Sequence, residues 1–307
     1  MIITAASEDG SSEYLEQISF SGEIIQKLEM NGMIANDKNI IGKTNNLLIC
    51  ANYNGISIYD IFTLNLLGTI DMDEEVMGLS VSGRYIAFFV IGRVCIYDLV
   101  DKTSEYIDVS YEAGPCLNEN RLLTVNKSDN MYLILDMSGK VIYRRNYTGF
   151  AKYLHLAGNK VFIEVSPLTE KNNHTITVYP FEGHKKINDH MIIYDNLETG
   201  ERKTFIVDYN LNSNTRFVYR NGILYIQQDQ GIVFLNVETS EIIRKITGGF
   251  IHSFDVNNQT LCYHMDIDGN SLILWDLKQN KIIKNISERN DDIDQILLYD
   301  AKFVSTN

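Results

Sequence analysis

SLILWD, residues 271–276, joins an apolar, β-prone run to an aromatic residue and a closing Asp, and the same phrase returns about every forty residues. It reads GISIYD at 55–60, RVCIYD at 93–98, NMYLILD at 130–136 and HMIIYD at 190–195, with weaker copies YLEQIS at 14–19 and GIVFLN at 231–236. Taking the residue before each closing Asp, Asn or Ser as the marker gives Ile18, Tyr59, Tyr97, Leu135, Tyr194, Leu235 and Trp275. The steps between markers are 41, 38, 38, 59, 41 and 40 residues. A period of this size is the signature of one supersecondary unit copied and stacked. Seven units are present, and the one long step places an intrusion of about twenty residues in the fifth.

One unit shows the physics. KNIIGKTNNLLICANYNGISIYDIFTLNLLGTIDM, residues 38–72, contains four short runs rich in Ile, Leu, Tyr and Val, punctuated by KTNN, NYNG and FTLN. Such runs and turn clusters predict a meander of four antiparallel strands. The second run, LLICA at 47–51, is almost continuously apolar, as a strand covered on both faces requires; the fourth, 64–72, is the most mixed. Later units repeat the second place as KVFIEV at 160–165, ILYIQQ at 223–228 and TLCYHM at 260–265. The fourth runs are laced with Lys and Glu, which discourages edge-to-edge pairing. No window sustains apolar residues at the helical period with capping signals. A lone four-stranded sheet would leave its apolar faces wet, and radial stacking of sheets buries them.

The repeat period, the strand ending in Trp-Asp or Tyr-Asp, and the Asp-Leu-x-Thr-like turn after it resemble the WD-repeat β-propellers over nearly the whole chain. Only Trp275-Asp276 carries the full dipeptide, and the Gly-His pair common early in that family's repeats is missing. Gly183-His184 lies only ten residues before Tyr194, too close to be that pair. The resemblance implies an all-β, seven-bladed β-propeller of four-stranded antiparallel blades, held by packing more than by His/Asp networks. It also implies closure of the last blade by both termini: DQILLYD at 294–300 reads as an inner first strand and MIITAAS at 1–7 as a second strand. KFVSTN at 302–307 is surplus to that scheme. Residues 1–307 are thus expected to form a single propeller domain, with a loop or extended hairpin inserted at about 166–190.

Composition narrows the function. With 45% hydrophobic and 22% charged residues the chain can bury a large core. A net charge of -13, which no basic cluster compensates, argues against a phosphate-backbone binder and disfavours anionic membrane surfaces. No stretch is long and apolar enough to span a membrane, and MIITAASEDGSSEY lacks the basic-then-apolar order of a secretion signal. A cytoplasmic protein is expected, and the five Asn-x-Ser/Thr sites at Asn126, Asn146, Asn173, Asn258 and Asn285 read as unmodified. Cys50, Cys95, Cys116 and Cys262 have neither metal nor redox spacing and read as buried free thiols.

The insertion gathers His174, Glu182, His184, Asp189 and His190, but the spacing fits no compact ligand pattern, so no metal site is expected. An insertion of this length on a rigid fold reads instead as a recognition element. In a propeller, the connections leading into the inner strands open on one face around the channel. Asp73, Glu74 and Glu75, then Asp291, Asp292 and Asp294, fall in such connections and would attract a basic peptide or protein. By the same equivalence Tyr111, Phe150, Lys152, Arg216 and His252 lie near inner-strand entrances. Aromatic and Arg side chains are frequent binding hot spots. No Gly-x-Ser-x-Gly, phosphate loop, dinucleotide fingerprint or His-Glu-x-x-His is present, so no cofactor and no catalytic residue is assigned. The expectation is a non-catalytic scaffold, monomeric within a larger assembly, that binds a protein or peptide at Glu74, Glu75, Tyr111, Phe150, Lys152, Arg216, His252, Asp292 and Asp294. The alternative is a propeller hydrolase or lyase working through channel carboxylates.

Overall fold

A computed structural model describes residues 1–6, 13–30, 41–52, 55–109, 114–126, 130–166, 168–172, 175–179, 190–207, 217–228, 230–266, 270–289 and 292–299. Among them every regular element is a β-strand. Blade 1 contains β1 (Ile2–Ala6), β2 (Glu13–Ile18) and β3 (Ile24–Met30). Blade 2 contains β4 (Ile41–Thr44), β5 (Leu47–Asn52), β6 (Gly55–Asp60) and β7 (Leu66–Asp71). Blade 3 contains β8 (Met77–Ser82), β9 (Tyr85–Val90), β10 (Arg93–Asp98) and β11 (Thr103–Asp108). Blade 4 contains β12 (Cys116–Asn118), β13 (Arg121–Asn126), β14 (Met131–Asp136) and β15 (Val141–Asn146).

Blade 5 is β16 (Phe150–Ala157), β17 (Lys160–Ser166), β20 (His190–Asn196) and β21 (Arg202–Val207), with the separate hairpin β18 (Leu168–Asn172) and β19 (Thr175–Tyr179) rising from its middle. Blade 6 is β22 (Phe217–Arg220), β23 (Ile223–Gln228), β24 (Gly231–Asn236) and β25 (Ile242–Thr247). Blade 7 is β26 (Phe250–Val256), β27 (Thr260–Asp266), β28 (Asn270–Asp276) and β29 (Lys281–Arg289). The final strand, β30 (Asp292–Leu297), pairs antiparallel with β1, so blade 1 runs β30, β1, β2, β3 and is built from both ends of the chain. This is the seven-bladed β-propeller that the repeats predict. Blades 1, 6 and 7 form one compact unit and blades 2 to 5 a second. Residues 302–307 lie outside the described residues.

Burial follows the strand order within each blade. The four middle residues of β5 are buried, whereas β7 alternates exposed and half-buried positions. Between neighbouring blades of one unit the inner three strands supply the core. Leu123, Val125 and Ile134 of blade 4 pack with Leu154, Val161 and Ile163 of blade 5, and Ile3 and Ile18 of blade 1 with Cys262, Leu272 and Leu274 of blade 7. Each fully buried Leu or Ile contributes about 1.5–3 kcal/mol.

The closing Asp of the repeated phrase is a turn cap. Oδ1 of Asp60 accepts from the N–H groups of Phe62 and Thr63, Asp98 from Val100 and Asp101, and Asp136 from Ser138 and Lys140. Asn196, Asn236 and Asp276 act alike, and in blade 1 the Ser19 hydroxyl accepts from Glu23 N–H. A short polar side chain that bonds the backbone two or three residues ahead is what a tight strand-to-strand turn needs. Each turn also holds one residue with positive φ: Gly22, Leu64, Lys102, Gly139, Gly200, Ser240 and Asn280.

This geometry corrects one marker. In blade 5 the capping residue is Asn196, so the position equivalent to Tyr59 is Asp195 and not Tyr194. With Asp195 in place the steps become 41, 38, 38, 60, 40 and 40 residues. Asp195 therefore occupies a site where blades 1, 4 and 6 place Ile18, Leu135 and Leu235, all buried.

Candidate functional site

Antiparallel pairing fixes which chain segments can meet at one end of a blade. The connection into the innermost strand and the turn between the second and third strands share an end, and the insertion of blade 5 emerges there, between β17 and β20. Three innermost strands carry a one-residue bulge at the same rung. Ala151 and Tyr153 of β16 oppose Val165 and Glu164; Ile251 and Ser253 of β26 oppose Met265 and His264; Ile293 and Gln295 of β30 oppose Ala5 and Thr4. The bulged residues are Lys152, His252 and Asp294, each a residue singled out from the sequence. A bulge leaves its extra residue outside the ladder and re-aims its side chain. Ala151, Ile251 and Ile293 beside them are buried, whereas Lys152 and His252 are exposed. Blade 3 has a bulge one rung away, at Gly78, which presents no side chain.

Beneath these bulges the second strands place polar residues in the interior: Thr4, Glu164 and His264, with Gln227 at the same level of blade 6. Gln227 Nε2 donates to the carbonyl of Ile251 at 2.5 Å, fixing the backbone beside the His252 bulge. Ser253 Oγ donates to Ile293 O at 3.4 Å, and Leu298 N–H donates to Asp255 Oδ2 at 2.7 Å. These bonds tie the second strand of blade 6 to the inner strand of blade 7, and that strand to β30 and the residue after it in blade 1. The His252 ring stacks on buried His264, with centroids 4.8 Å apart, and meets Phe250 edge-on at 4.9 Å.

In the other unit, Glu74 does not stand free: its Oε1 pairs with Arg93 Nη2 at 2.8 Å, and the Arg93 guanidinium lies 4.9 Å over the Tyr106 ring. Glu75 is exposed and makes no ion pair among the described residues. Phe150 is half-buried at the start of β16, two residues before exposed Lys152. Asp292 lies two residues before Asp294 at the start of β30. Tyr111 and Arg216 lie outside the described residues, as do His174, Glu182, His184 and Asp189 of the insertion.

Sequence reasoning missed Phe250 and His264, which frame His252. The signal was available for the first: TGFAK at 148–152 and GGFIH at 248–252 share a Gly-Phe step into the bulge. It also missed Asp195, fully buried and the centre of the densest charge cluster in blades 4 and 5. Arg145 Nη1 reaches Oδ1 at 2.8 Å, Arg202 straddles the carboxylate at 2.8 and 2.6 Å, and the Tyr132 hydroxyl donates to Oδ2 at 2.7 Å. Burial, then the bond to Asp195, pushes the Tyr132 phenol upward, and the carboxylate raises Arg202. All four cysteines are buried free thiols, as expected. Burial pushes Cys95 and Cys116 up to about 11 and raises Cys50 and Cys262, so none is a nucleophile near neutral pH.

Comparison with known proteins gives likeness of fold. The sequence matches no model of a known protein family and no curated protein. A chain from the crystal structure of a mitotic checkpoint complex is 14% identical, with a TM-score of 0.64 over 91% of this chain and 88% of that one. BamB from Moraxella catarrhalis is 14% identical with a TM-score of 0.56, covering 94% of this chain and 88% of its own. Apo AztD from Citrobacter koseri is 12% identical with a TM-score of 0.57, covering 93% and 94%.

Proposed function

We propose that this chain is a non-catalytic interaction scaffold of divergent WD type, working inside the cell. It binds a protein or peptide at the strand ends where the inner-strand entrances and the blade 5 insertion emerge. The observation that carries this reading is the recurrence of one bulge in β16, β26 and β30, which takes Lys152, His252 and Asp294 out of the ladder at the equivalent rung of their own blades. A bulge re-aims the side chain of its extra residue, and here it recurs at equivalent places in blades of different sequence. Glu75, Asp292 and Asp294 bias the partner toward basic character. The likeness to a chain of a mitotic checkpoint complex is in keeping with a scaffold role.

The test is affinity capture from native lysate by wild type and by Glu75→Lys/Asp292→Lys/Asp294→Lys. The expected outcome is loss of the basic partners at unchanged thermal stability. Identical partner sets would overturn the acidic-face reading. The competing hydrolase or lyase would require a carboxylate pair within about 10 Å across a substrate cleft.

A further inference from the structure

We infer that the outer edge of blade 4 is a second docking site, a groove that takes an acidic, extended peptide by strand addition. The concavity measures about 640 Å³ and is lined by Met131 and Leu133 of β14 and by four consecutive residues of β15, Val141 to Arg144. Successive strand residues point to opposite faces, so a hollow touching four in a row follows the strand instead of dipping between two side chains. β15 is the last strand of its sheet, and such an edge turns unpaired N–H and C=O groups outward. Extended peptides are bound in this way elsewhere, with main-chain bonds for affinity and side-chain pockets for specificity.

The lining states the chemistry of the occupant. Val141 and Ile142 are 46% and 50% exposed, because the bulge opposite Ile134 and Leu135 places an extra residue in β15. They form an aliphatic floor for alternate apolar side chains. Arg144 is exposed and makes no ion pair among the described residues, whereas neighbouring Arg145 is committed to Asp195. Two outer-strand cations elsewhere are answered locally: Lys27 by Glu16 and Lys203 by Glu201, each at 3.3 Å. In a chain of net charge -13, residues 137–163 contain Lys140, Arg144, Arg145, Lys152 and Lys160 and no acidic residue. An occupant alternating carboxylates with aliphatic side chains would match both the unpaired guanidinium and the apolar floor. Its charge is opposite to that of the partner proposed for the inner-strand end, so the two sites would hold different ligands.

The probe is a fluorescein-labelled seven-residue peptide alternating Asp or Glu with Val or Ile, followed by anisotropy with full-length protein. Wild type is expected to bind, with affinity falling as salt rises. Arg144→Glu and Ile142→Lys each weaken binding at least tenfold, while Ile243→Lys on blade 6 and Glu75→Lys leave it unchanged. The substituted side chains are exposed, so thermal melts should match wild type. Equal binding by Arg144→Glu and Ile142→Lys, or equal binding of a probe with Lys in place of its acids, overturns the proposal. So does concentration-dependent self-association that Ile142→Lys abolishes, since a second copy would then be the occupant.

Discussion

Blades 5 and 6 turn from third to fourth strand through nearly the same five residues, Asn-Leu-Glu-Thr-Gly at 196–200 and Asn-Val-Glu-Thr-Ser at 236–240, and then build outer edges of opposite chemistry. In blade 6, Leu235 opposes Ile242, and a bulge admits Ile243, so both isoleucines stand about half exposed. In blade 5 the register is unbroken, Asp195 opposes Arg202, and that Arg also donates to the carbonyl of Asn146 in blade 4. Blades 1, 2, 4 and 7 follow blade 6, with bulges and exposed pairs Ile24-Ile25, Leu66-Leu67, Val141-Ile142 and Ile282-Ile283. Blade 3 shares the unbroken register of blade 5, with Tyr97 opposite Ser104 and no aliphatic pair at that place. One extra residue therefore separates an outer strand that carries an aliphatic pair in solvent from one that carries polar side chains there. Aliphatic side chains exposed in this way add little to stability and leave surface for binding.

The sharpest way to break this comparison is to give blade 5 the residue of blade 6. Asp195→Leu removes the carboxylate that Arg145, Arg202 and the Tyr132 hydroxyl share, and removing one partner of a buried ion pair costs about 3–5 kcal/mol. Adding Arg202→Ile rebuilds the apolar pair of Leu235 and Ile242, and such replacements are often neutral or better. Most of the loss should return in the double variant. Urea unfolding of both checks it; a single variant within about 1 kcal/mol of wild type would show that the cluster is ornamental to blade 5.

The fold was legible because the phrase that repeats is a strand plus its turn cap, and both obey local rules: period-two apolar runs, and Asp, Asn or Ser one residue past the marker. Blade 1 could be assembled from the two ends because β1 and β30 keep the second-strand and first-strand patterns although they lie at opposite termini. The shift at Asp195 was hidden because Tyr194-Asp195 imitates Tyr59-Asp60 and Tyr97-Asp98. Aligning the turns NLETG and NVETS, in place of the strands, would have revealed it. Bulges were less legible. Whether two residues oppose one depends on the partner strand, and nothing in Phe-Ala-Lys-Tyr at 150–153 says that Lys152 leaves the ladder. The pairing of Glu74 with Arg93 is likewise a contact between segments that no local pattern announces.

Acid should separate the turns capped by Asp from those capped by Asn. The Ser138 hydroxyl, then the backbone N–H groups of the turn, hold Asp136 below the ordinary carboxylate range; bonds within its own turn do the same for Asp60, led by Thr63 N–H. A carboxyl whose pKa is lowered on folding stabilises the protein above its unfolded pKa, and the contribution fades as pH falls through the folded pKa. Blades 5 and 6, capped by Asn196 and Asn236, have no such term. Asp136→Asn should therefore match wild type near neutral pH and lose less stability between about pH 4 and pH 2. Thermal melts across that range decide it: parallel pH profiles for the two proteins would refute the assignment.

The smallest expected effect isolates the last residue of the same turn. Gly200 and Ser240 both hold the left-handed conformation, with φ of 74° and 61°. A Cβ at Gly200 would meet nothing within 4 Å, so the position tests the backbone and not packing. Left-handed geometry costs a residue with a Cβ roughly 1–2 kcal/mol, and glycine returns about 0.5–1 kcal/mol of that through its freer unfolded chain. Ser240→Gly should stabilise blade 6 by about 0.5–1 kcal/mol and Gly200→Ser should destabilise blade 5 by a similar amount. In a chain of this size each change moves the Tm by about 1–3 °C, in opposite directions. Shifts of the same sign would mean that the two turns, alike in sequence, are held by different surroundings.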